Sequence, residues 1–552
     1  MDSQKKDNYK VLQPLLLSAC MAIGIMAGFK MNDKPEVDLI ENIDYPTDQA
    51  FMVGRIEEVL RFVENKYVDK INSNDLVEEA LLAVFTKLDP HSVYLSASDV
   101  NDVAEQMNGS FNGIGIENFI IDDTVNIYDV IKDSPAEKSG LKAFDKIIAI
   151  NDSLVAGRDL DFSDIRAMLR KEKGENVKVR ILRHKTQSTF NIAVNEVPIP
   201  TVSSYLIPEI QTACIKIDRF GSKTYKEFMV EIEKYFLEVT KKEDTPTKAK
   251  HLIIDLRDNP GGYLPEATNI LCQLFEEKEK LLVYTEGRNN KKNEYKSGGK
   301  CFFAIDQIVV LIDENSASAS EIMAGAIQDW DRGFVIGRRS FGKGLVQEQY
   351  DLNNGGAIRL TVARYFTPSG RSIQREYNDR ELYDEDFSKR HKNGDLFNKD
   401  STLIKKDSLK YYTLLLKRPV LASGGITPDL FIPMDSIYKN EDFLLIKSLL
   451  PEFTYRYVSS NKKLFPNEIS SFSAWKVPKQ FYADLKIFIT KEEKNIQISE
   501  ISLTTLEKVI KLQVARLLFG KSVADSLEHK NDEFLSLAST LIKDKRSLKN
   551  YK

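Results

Sequence analysis

The spacing of apolar residues changes along the chain and divides it into regions of different secondary structure. Between residues 47 and 100 apolar residues recur every three or four positions, which predicts helices. From about 104 to 196 short alternating runs surround one helix, as in a small β-rich domain. From 211 onward buried strands and amphipathic helices alternate, which predicts an α/β core. Beyond about 436 the pattern is mainly helical again.

These changes, in a chain of 552 residues, predict a multidomain α/β protein. The expected units are a signal or membrane anchor at 1–30, an N-terminal helical region at 31–103, a β-rich domain at 104–196, an α/β core at 197–435 and a helical C-terminal extension at 436–552. Within the core, the charge-dense stretch at 376–410, which contains "EYNDRELYDEDFSKRHKNGDLF", predicts an exposed insertion or a loop.

The N-terminal region has the features of an export segment. Three lysines in the first ten residues precede the uncharged run Val11–Phe29, which is close to the length that spans a bilayer. Residues Leu17–Cys20, "LSAC", resemble a lipoprotein cleavage box, but the apolar run continues well past Cys20. We therefore expect an uncleaved membrane anchor, with the rest of the chain outside the cytoplasm. A lipoprotein acylated at Cys20 is the alternative.

Charge and composition exclude several classes of function. Lys plus Arg number 78 against 82 Asp plus Glu, so the net charge is −4 and no basic surface for nucleic acid is expected. The four cysteines show no paired spacing, and the five histidines show no ligand spacing. The sequence therefore predicts neither a metal nor another cofactor.

Three alternating serines at 313–330, "DENSASASEIMAGAIQDW", stand between an apolar strand and a helix. Ser318 with Glu321 fits a capping box, so the serine is either a helix cap or a nucleophile at the helix N-terminus. The second reading gains support because N–H groups at this position, beginning with that of Ala319, are suited to hold a developing oxyanion.

Two further segments supply candidate partners for the serine. "DLRDNPGGYL" follows a core strand, and one of the N–H groups of Gly261 and Gly262 is a candidate second oxyanion donor. No histidine is an obvious base, but Lys343 in "SFGKGLVQ" is suited to accept the serine proton if burial favours its neutral form. Gln347 lies four residues later, within one helical turn, and is a candidate for orienting the amine by hydrogen bonding.

The ordered set "LDPHSVYL", "DLRDNPGG", "ENSASASEIMAGAIQD", "FGKGLVQ", "TPSGRSIQ" and "GGITPDLFIP" resembles the C-terminal processing peptidases, or tail-specific proteases, over roughly residues 50 to 435. The resemblance implies a serine peptidase core of the ClpP/crotonase-like type. It assigns Ser318 as the nucleophile, Lys343 as the general base and Gln347 as the residue that positions the lysine. Ser316 and Ser320 are then structural.

The resemblance also identifies the β-rich unit as a PDZ domain. Its carboxylate-binding loop is then Gly113, Ile114, Gly115 and Ile116, whose N–H groups and strand edge suit a peptide C-terminus. One residue departs from the family pattern, because Phe144 stands before Asp145 where the family usually has glycine.

The expected function is cleavage of polypeptides that are unfolded or have exposed C-termini, through an acyl-enzyme on the serine. A homo-oligomer or an adaptor protein remains open as a further partner. A catalytically silent PDZ scaffold and a hydrolase of small acyl esters are the alternatives. The three candidate catalytic residues argue against a scaffold, and the PDZ unit favours polypeptide over small esters.

Overall fold

The computed structural model describes residues 47–236, 249–398, 410–422, 424–491, 503–546 and 548–550. The expected anchor at 1–30 lies outside the described residues. The chain divides into two compact units between Ala83 and Val84.

Two helices belong mainly to the first unit, α1 (Thr47–Lys66) and α2 (Ser73–Phe85). Their apolar spacing agrees with the predicted helices, and several apolar side chains of α1, including Ile56, Val59 and Phe62, are exposed. Within the described part of the chain, no helix has the length and apolar character needed to cross a bilayer.

A short strand and a capped helix lead into the β-rich domain: β1 (Val93–Leu95) and α3 (Ala97–Asn108). Helix α3 begins at a capping box in which Ser96 and Asp99 satisfy each other's backbone N–H groups. The chain then forms β2 (Ser110–Gly113), which pairs with β9 (Asn195–Pro198).

The β-rich domain lies between these two strands. Its sheet has the order β3-β4-β5-β7-β8, with β6 pairing β5. The elements are β3 (Ile116–Ile120), β4 (Val125–Val130), α4 (Pro135–Ser139), β5 (Lys146–Ile150), β6 (Ser153–Leu154), α5 (Phe162–Leu169), β7 (Asn176–Arg183) and β8 (Thr186–Ala193). Alternate strand residues, such as Val177, Val179 and Ile181, fill a separate apolar core.

The α/β core has a six-stranded sheet of order β10-β11-β12-β15-β16-β21, parallel except for the β10–β11 pair. Its strands are β10 (Val202–Ile207), β11 (Thr212–Ile217), β12 (His251–Asp255), β15 (Ile308–Ile312), β16 (Phe334–Gly337) and β21 (Leu430–Phe431). Helices α6 (Thr224–Phe236), α7 (Leu264–Leu274) and α8 (Ala319–Asp329) share one apolar cluster with one face of this sheet. The opposite face packs on α16 (Glu533–Lys543), so both faces are covered.

A second, antiparallel sheet brings distant parts of the chain together. It has the order β1-β18-β13-β14, with β17 also pairing β18. Its later strands are β13 (Lys278–Glu286), β14 (Asn293–Gly298), β17 (Leu345–Asp351) and β18 (Ala357–Phe366). Since β1 and β17 both pair with β18, the segment before β1 lies close to the segment that contains Lys343.

The charged stretch at 376–410 is more ordered than the sequence predicts. Its described part forms α9 (Arg380–Asp384) and α10 (Asp386–Lys392), and the side chains of Tyr383 and Arg390 are buried. The expectation of a loop is therefore wrong for most of 380–392, which forms helices and contacts the core through these aromatic and guanidinium groups. Most side chains of 376–398 are nevertheless exposed, as expected of an insertion. The chain continues through β19 (Lys410–Tyr412) and β20 (Pro419–Leu421).

The C-terminal extension is helical, as the sequence predicts. Its helices are α11 (Glu441–Ser460), α12 (Ile469–Phe472), α13 (Lys479–Lys491), α14 (Leu503–Phe519) and α15 (Lys521–His529), followed by α16. Helices α11 to α15 share an aromatic-rich core that includes Phe453, Tyr457 and Phe481. We call α11 to α15 the helical domain.

Candidate active site

Ser318 occupies a strained turn at the carboxyl end of a buried strand. Strand β15 is fully buried, and Ser318 follows it immediately before α8 with φ 52° and ψ −112°. A serine at positive φ is energetically unfavourable, and such residues concentrate at functional sites. Ser318 is partly exposed, whereas Ser316 and Ser320 are fully buried. Of the three serines, Ser318 is therefore the one that a substrate can reach.

The two neighbouring serines are engaged in structural hydrogen bonds. Ser316 Oγ donates to the carbonyl of Leu256 at 2.8 Å and accepts from the Asp313 N–H at 2.9 Å. Ser320 Oγ donates to the carbonyl of Asn259 at 3.0 Å. Both hydroxyls tie the serine turn to the loop after β12, so they fix its position.

Gly261 and Gly262 lie directly against the serine turn, and their N–H groups differ in whether they are already hydrogen-bonded. Gly261 N–H donates to the side chain of Asn259 at 2.8 Å, so it is already engaged. In the part of the chain that the structure describes, the Gly262 and Ala319 N–H groups donate to no protein acceptor. Ala319 and Gly262 are therefore the better candidates for an oxyanion site than Ala319 and Gly261.

Replacing Gly261 with alanine is expected to lower kcat/KM by roughly 100-fold, because small displacements of reacting groups have effects of this size. Gly261 has φ +97°, and an added Cβ lies 2.7 Å from Ser318 Cβ and from the Ala317 carbonyl oxygen. Peptidase assays and thermal melts measure the effect. Gly298→Ala is the matched control, since its Cβ meets nothing within 4 Å. Equal activity in the two variants would contradict this packing argument.

Glu321 joins the serine turn to the lysine segment. Its Oε2 accepts the N–H groups of Ser318 at 2.9 Å and of Lys343 at 2.8 Å. Its Oε1 accepts the Gly342 N–H at 2.7 Å and the hydroxyl of Ser340. Burial raises the pKa of Glu321 to about 7, against the opposing effect of these hydrogen bonds. Glu321, the capping-box partner of Ser318, therefore also holds the serine turn to the distant segment that contains Lys343.

Tyr365 makes a second connection between the same two segments. Its buried hydroxyl donates to the Lys343 carbonyl at 2.5 Å and lies 3.1 Å from the Ser318 carbonyl oxygen. The backbone at Ser318 and at Lys343 is thus held by the same two side chains, the Glu321 carboxylate and the Tyr365 phenol. The positions of Ser318 and Lys343 therefore depend little on loop motion.

Lys343 is partly buried, and its amine is shifted toward the neutral form. Burial, together with the charge of Arg359, lowers the pKa of Lys343 from 10.5 to about 8, while Glu321 and Asp89 act in the opposite direction. A substantial fraction of the amine is therefore unprotonated at mildly alkaline pH, as a general base requires.

The expected helical relation between Lys343 and Gln347 is wrong. Lys343 precedes β17 and Gln347 lies within this strand, because residues 345–351 pair with β18. Extended backbone places residues four apart on the same face but separates them along the strand. Gln347 Nε2 instead donates to Thr361 Oγ1 at 3.3 Å.

This contact connects Gln347 to Asp89, a residue for which the sequence predicts no role. Thr361 Oγ1 donates to Asp89 at 2.9 Å, and Ser92 Oγ donates to the same carboxylate at 2.6 Å. Burial raises the Asp89 pKa, but hydrogen bonds from Ser92, His91 and Thr361 outweigh it and leave the pKa below its usual value. Asp89 is therefore a fixed negative charge near the lysine. The motif "LDPHSVYL" was the available signal.

His91 lies in an aromatic cluster beside this network. Its Nε2 is 2.6 Å from the hydroxyl of Tyr383, and the Arg375 guanidinium lies over the rings of Phe341 and Tyr383. Burial and the charge of Lys343 lower the pKa of His91 to about 4. His91 is thus neutral at physiological pH and packs α9 against the catalytic segment.

A cavity lies at the residues of the β-rich domain that are predicted to bind a peptide C-terminus. This cavity, of about 370 Å³, is lined by residues 113–116, by Asn118 of β3, and by Ile165 and Leu169 of α5. Helix α3 borders it through ion pairs from Asp102 and Glu105 to Arg166 and Arg170 of α5, at 2.5–3.0 Å. Strand β3 pairs only with β4 among the described strands, so its other edge is open to a peptide.

Within the described ranges, no group of three or more His, Cys, Asp or Glu side chains is arranged to hold a metal ion. The described cysteines, Cys214, Cys272 and Cys301, are free thiols.

Comparison with known proteins places this geometry in a family. Residues 211–380 match peptidase family S41, and residues 112–194 match the PDZ domain. The chain is 34% identical over 365 residues to the carboxy-terminal processing protease CtpB of Bacillus subtilis, covering 64% of this chain and 72% of the relative. It is 33% identical over 325 residues to the carboxy-terminal-processing protease of Bartonella bacilliformis, covering 58% and 72%.

Among solved structures, the chain resembles the photosystem II D1 C-terminal processing protease at 25% identity, covering 60% of this chain and 91% of that chain, with a TM-score of 0.33. The profile matches and the curated relatives agree with a PDZ domain followed by a peptidase core. The chain therefore belongs to the carboxy-terminal processing proteases of peptidase family S41, and it is a serine-type peptidase that carries a PDZ domain.

Proposed function

We propose that this peptidase cleaves polypeptides by a serine–lysine dyad, with Ser318 as the nucleophile and Lys343 as the general base. The observation that carries the proposal is the bridge by Glu321 Oε2, which accepts the N–H groups of both residues. The lowered pKa of Lys343 supports the same assignment, because only an unprotonated amine can accept the serine proton.

The reaction follows from these positions. Neutral Lys343 accepts the Ser318 hydroxyl proton as Oγ bonds to the carbonyl carbon, and the resulting oxyanion is held by the N–H groups of Ala319 and Gly262. The tetrahedral intermediate breaks its C–N bond, and the Lys343 ammonium donates its proton to the departing amine. Water then attacks the acyl-enzyme, with Lys343 as base, and releases the carboxylic acid and free Ser318.

Gln347 and Asp89 act on the lysine without touching the substrate. The Gln347–Thr361–Asp89 chain of hydrogen bonds places a carboxylate near the amine and holds it there. Its charge keeps the Lys343 pKa from falling further. We therefore assign Gln347 and Asp89 as positioning residues.

Replacing Asp89 with asparagine is expected to move the pH dependence of kcat/KM to lower pH. Removing this negative charge destabilises the ammonium form, so the Lys343 pKa falls below about 8 and the rising limb begins earlier. The midpoint of the pH profile measures the shift in the Lys343 pKa, whereas its plateau measures any general loss of activity. Glu348→Gln is the control. This exposed carboxylate lies on β17 beside Gln347 but takes no part in the Gln347–Thr361–Asp89 chain of hydrogen bonds. An unshifted profile in Asp89→Asn would remove Asp89 from the account.

The proposed substrates are polypeptides that are unfolded or have exposed C-termini, captured through the PDZ groove. The open edge of β3 and the apolar lining of the cavity support binding of an extended peptide. A quenched fluorogenic peptide with a free C-terminal carboxylate tests this against the same peptide with a C-terminal amide. We expect faster cleavage of the carboxylate form.

The outcomes separate the alternatives. Binding of the peptide without cleavage, and without labelling by a fluorophosphonate, would indicate a silent scaffold. Hydrolysis of small acyl esters without cleavage of any peptide or unfolded protein would indicate an esterase. Equal cleavage of carboxylate and amide peptides would contradict capture by the C-terminus.

We further propose that the chain is anchored in the inner membrane of a bacterial envelope, with the catalytic part in the periplasm. The uncharged run Val11–Phe29 supports this location. The protein is expected to remain in the membrane pellet after extraction with alkaline carbonate. Release into the supernatant with an intact N-terminus would contradict anchoring, and acylation of Cys20 would favour the lipoprotein alternative.

A further inference from the structure

Strand β3, which would receive the peptide, is covered on both faces. Ile116 and Ile120 pack on the core of the PDZ domain. Phe119 and the following Ile121 instead pack into the apolar cluster of the helical domain. Because successive side chains of a strand point to opposite faces, these two sets lie on opposite sides of β3. The strand is therefore sandwiched between two domains.

Phe144 adds a contact between the PDZ domain and the helical domain, although its backbone conformation is unfavourable. It has φ +73°, where glycine is free of strain and other L-residues are disfavoured. Its ring stacks on Tyr455 of α11 with centroids 5.1 Å apart, and the Lys462 amine lies 4.4 Å from the ring centroid. The departure from the family's glycine thus provides a contact with the helical domain, which offsets the strain.

Two ion pairs join the helical domain to β3 and to the turn that follows it. Arg456 binds Asp122 through both guanidinium nitrogens, at 2.6 and 2.9 Å. Arg516 binds Glu117 of β3 at 3.2 Å. Exposed ion pairs are individually weak, but these two fix both ends of the strand segment that Phe119 anchors.

We propose that the helical domain is a positioning element for peptide capture, which holds β3 rigid through Phe119, Phe144, Tyr455, Arg456 and Arg516. We call these residues the PDZ clamp. The clamp covers the face of β3 that points away from the PDZ core, and it leaves the edge beside α5 open. A peptide that adds to an already ordered strand avoids the cost of ordering it, so its affinity is higher. The proposal rests on capture of peptides by the PDZ groove.

Phe144→Gly tests the clamp with little risk to folding, because glycine adopts this φ without strain. The matched control is Lys185→Gly. Lys185 has φ +71° in the turn between β7 and β8, and it is exposed outside the clamp. Both substitutions relieve a similar backbone strain, but only Phe144→Gly removes a clamp contact. Arg456→Ala weakens the clamp from the opposite side of the interface.

The variants are made in full-length Ser318→Ala protein so that bound peptide is not cleaved. The first readout is amide hydrogen exchange of residues 116–121. The second is fluorescence anisotropy with a labelled decapeptide that ends in a valine carboxylate, beside its C-terminal amide. In Phe144→Gly we expect faster exchange across β3 and roughly three- to ten-fold weaker binding, the range expected for losing an aromatic pair.

Arg456→Ala should change both readouts in the same direction but less, and Lys185→Gly should match the parent. Unchanged β3 exchange in Phe144→Gly, or equal acceleration in Lys185→Gly, would overturn the clamp. Faster exchange with unchanged peptide affinity would overturn its role in capture. Failure of the parent to bind the carboxylate peptide would reject the proposed capture itself, and amide exchange would still decide whether the clamp exists.

Discussion

Replacing Ser318 with alanine is expected to lower kcat/KM by roughly four to six orders of magnitude, as removal of a serine nucleophile does elsewhere. No acyl-enzyme can form without Oγ, and in the described site the neighbouring hydroxyls are buried in structural hydrogen bonds. The fold should remain intact, since the Ser318 N–H still donates to Glu321. Peptide cleavage and fluorophosphonate labelling measure the loss.

Ser320→Ala is the matched control. Ser320 lies two residues after Ser318, in the first turn of α8, and its side chain is fully buried. Removing its bond to the Asn259 carbonyl should reduce the free energy of unfolding by about 1 kcal/mol and leave most of the turnover. Residual activity in Ser318→Ala comparable to that of Ser320→Ala would remove Ser318 as the nucleophile.

Lys343→Met is expected to abolish peptide cleavage almost as completely, because no other group would accept the serine proton. Lys343→Arg should also be inactive, since the guanidinium stays protonated throughout the working pH range. The methionine variant preserves much of the length and apolar character of the lysine side chain, so a loss of activity is due to removal of the amine. Appreciable turnover by either variant would contradict the dyad.

The same substitution has a predicted effect on stability, with a defined sign. The folded-state pKa of about 8 lies below the ordinary value of 10.5, so at neutral pH the fold carries the cost of burying an ammonium. That cost is fully present below about pH 8 and is relieved as pH rises toward 10.5. Lys343→Met should therefore be at least as stable as the parent in thermal melts at pH 7. A marked loss of stability would instead indicate a paired, structural lysine.

Local patterns were sufficient to predict much of the fold. The buried apolar run of β15, the three serines and the helix behind them predicted the serine turn, and the switch from alternating to helical spacing predicted the order of domains. These features depend on residues near one another in the chain, where periodicity and capping rules apply. The structure adds that strain at Ser318 exposes that serine alone among the three.

Contacts between distant residues could not be predicted in this way. Asp89 meets Thr361 because β1 pairs with β18, and no local pattern encodes that pairing. The apparent helical spacing of Lys343 and Gln347 was misleading because β18 recruits residues 345–351 into a sheet. Phe144 was recognised as a departure, but its partner Tyr455 lies in another domain.

The measurement that tests the dyad most directly is the pH dependence of the rate at which a fluorophosphonate phosphonylates Ser318, with loss of fluoride. Phosphonylation needs the nucleophile and its base but neither the PDZ groove nor release of a peptide product. The account predicts a rate that rises through a single midpoint near pH 8, the pKa of Lys343, and that falls to background at every pH in Lys343→Met. A midpoint that persists in Lys343→Met would show that another group accepts the proton and would contradict the account.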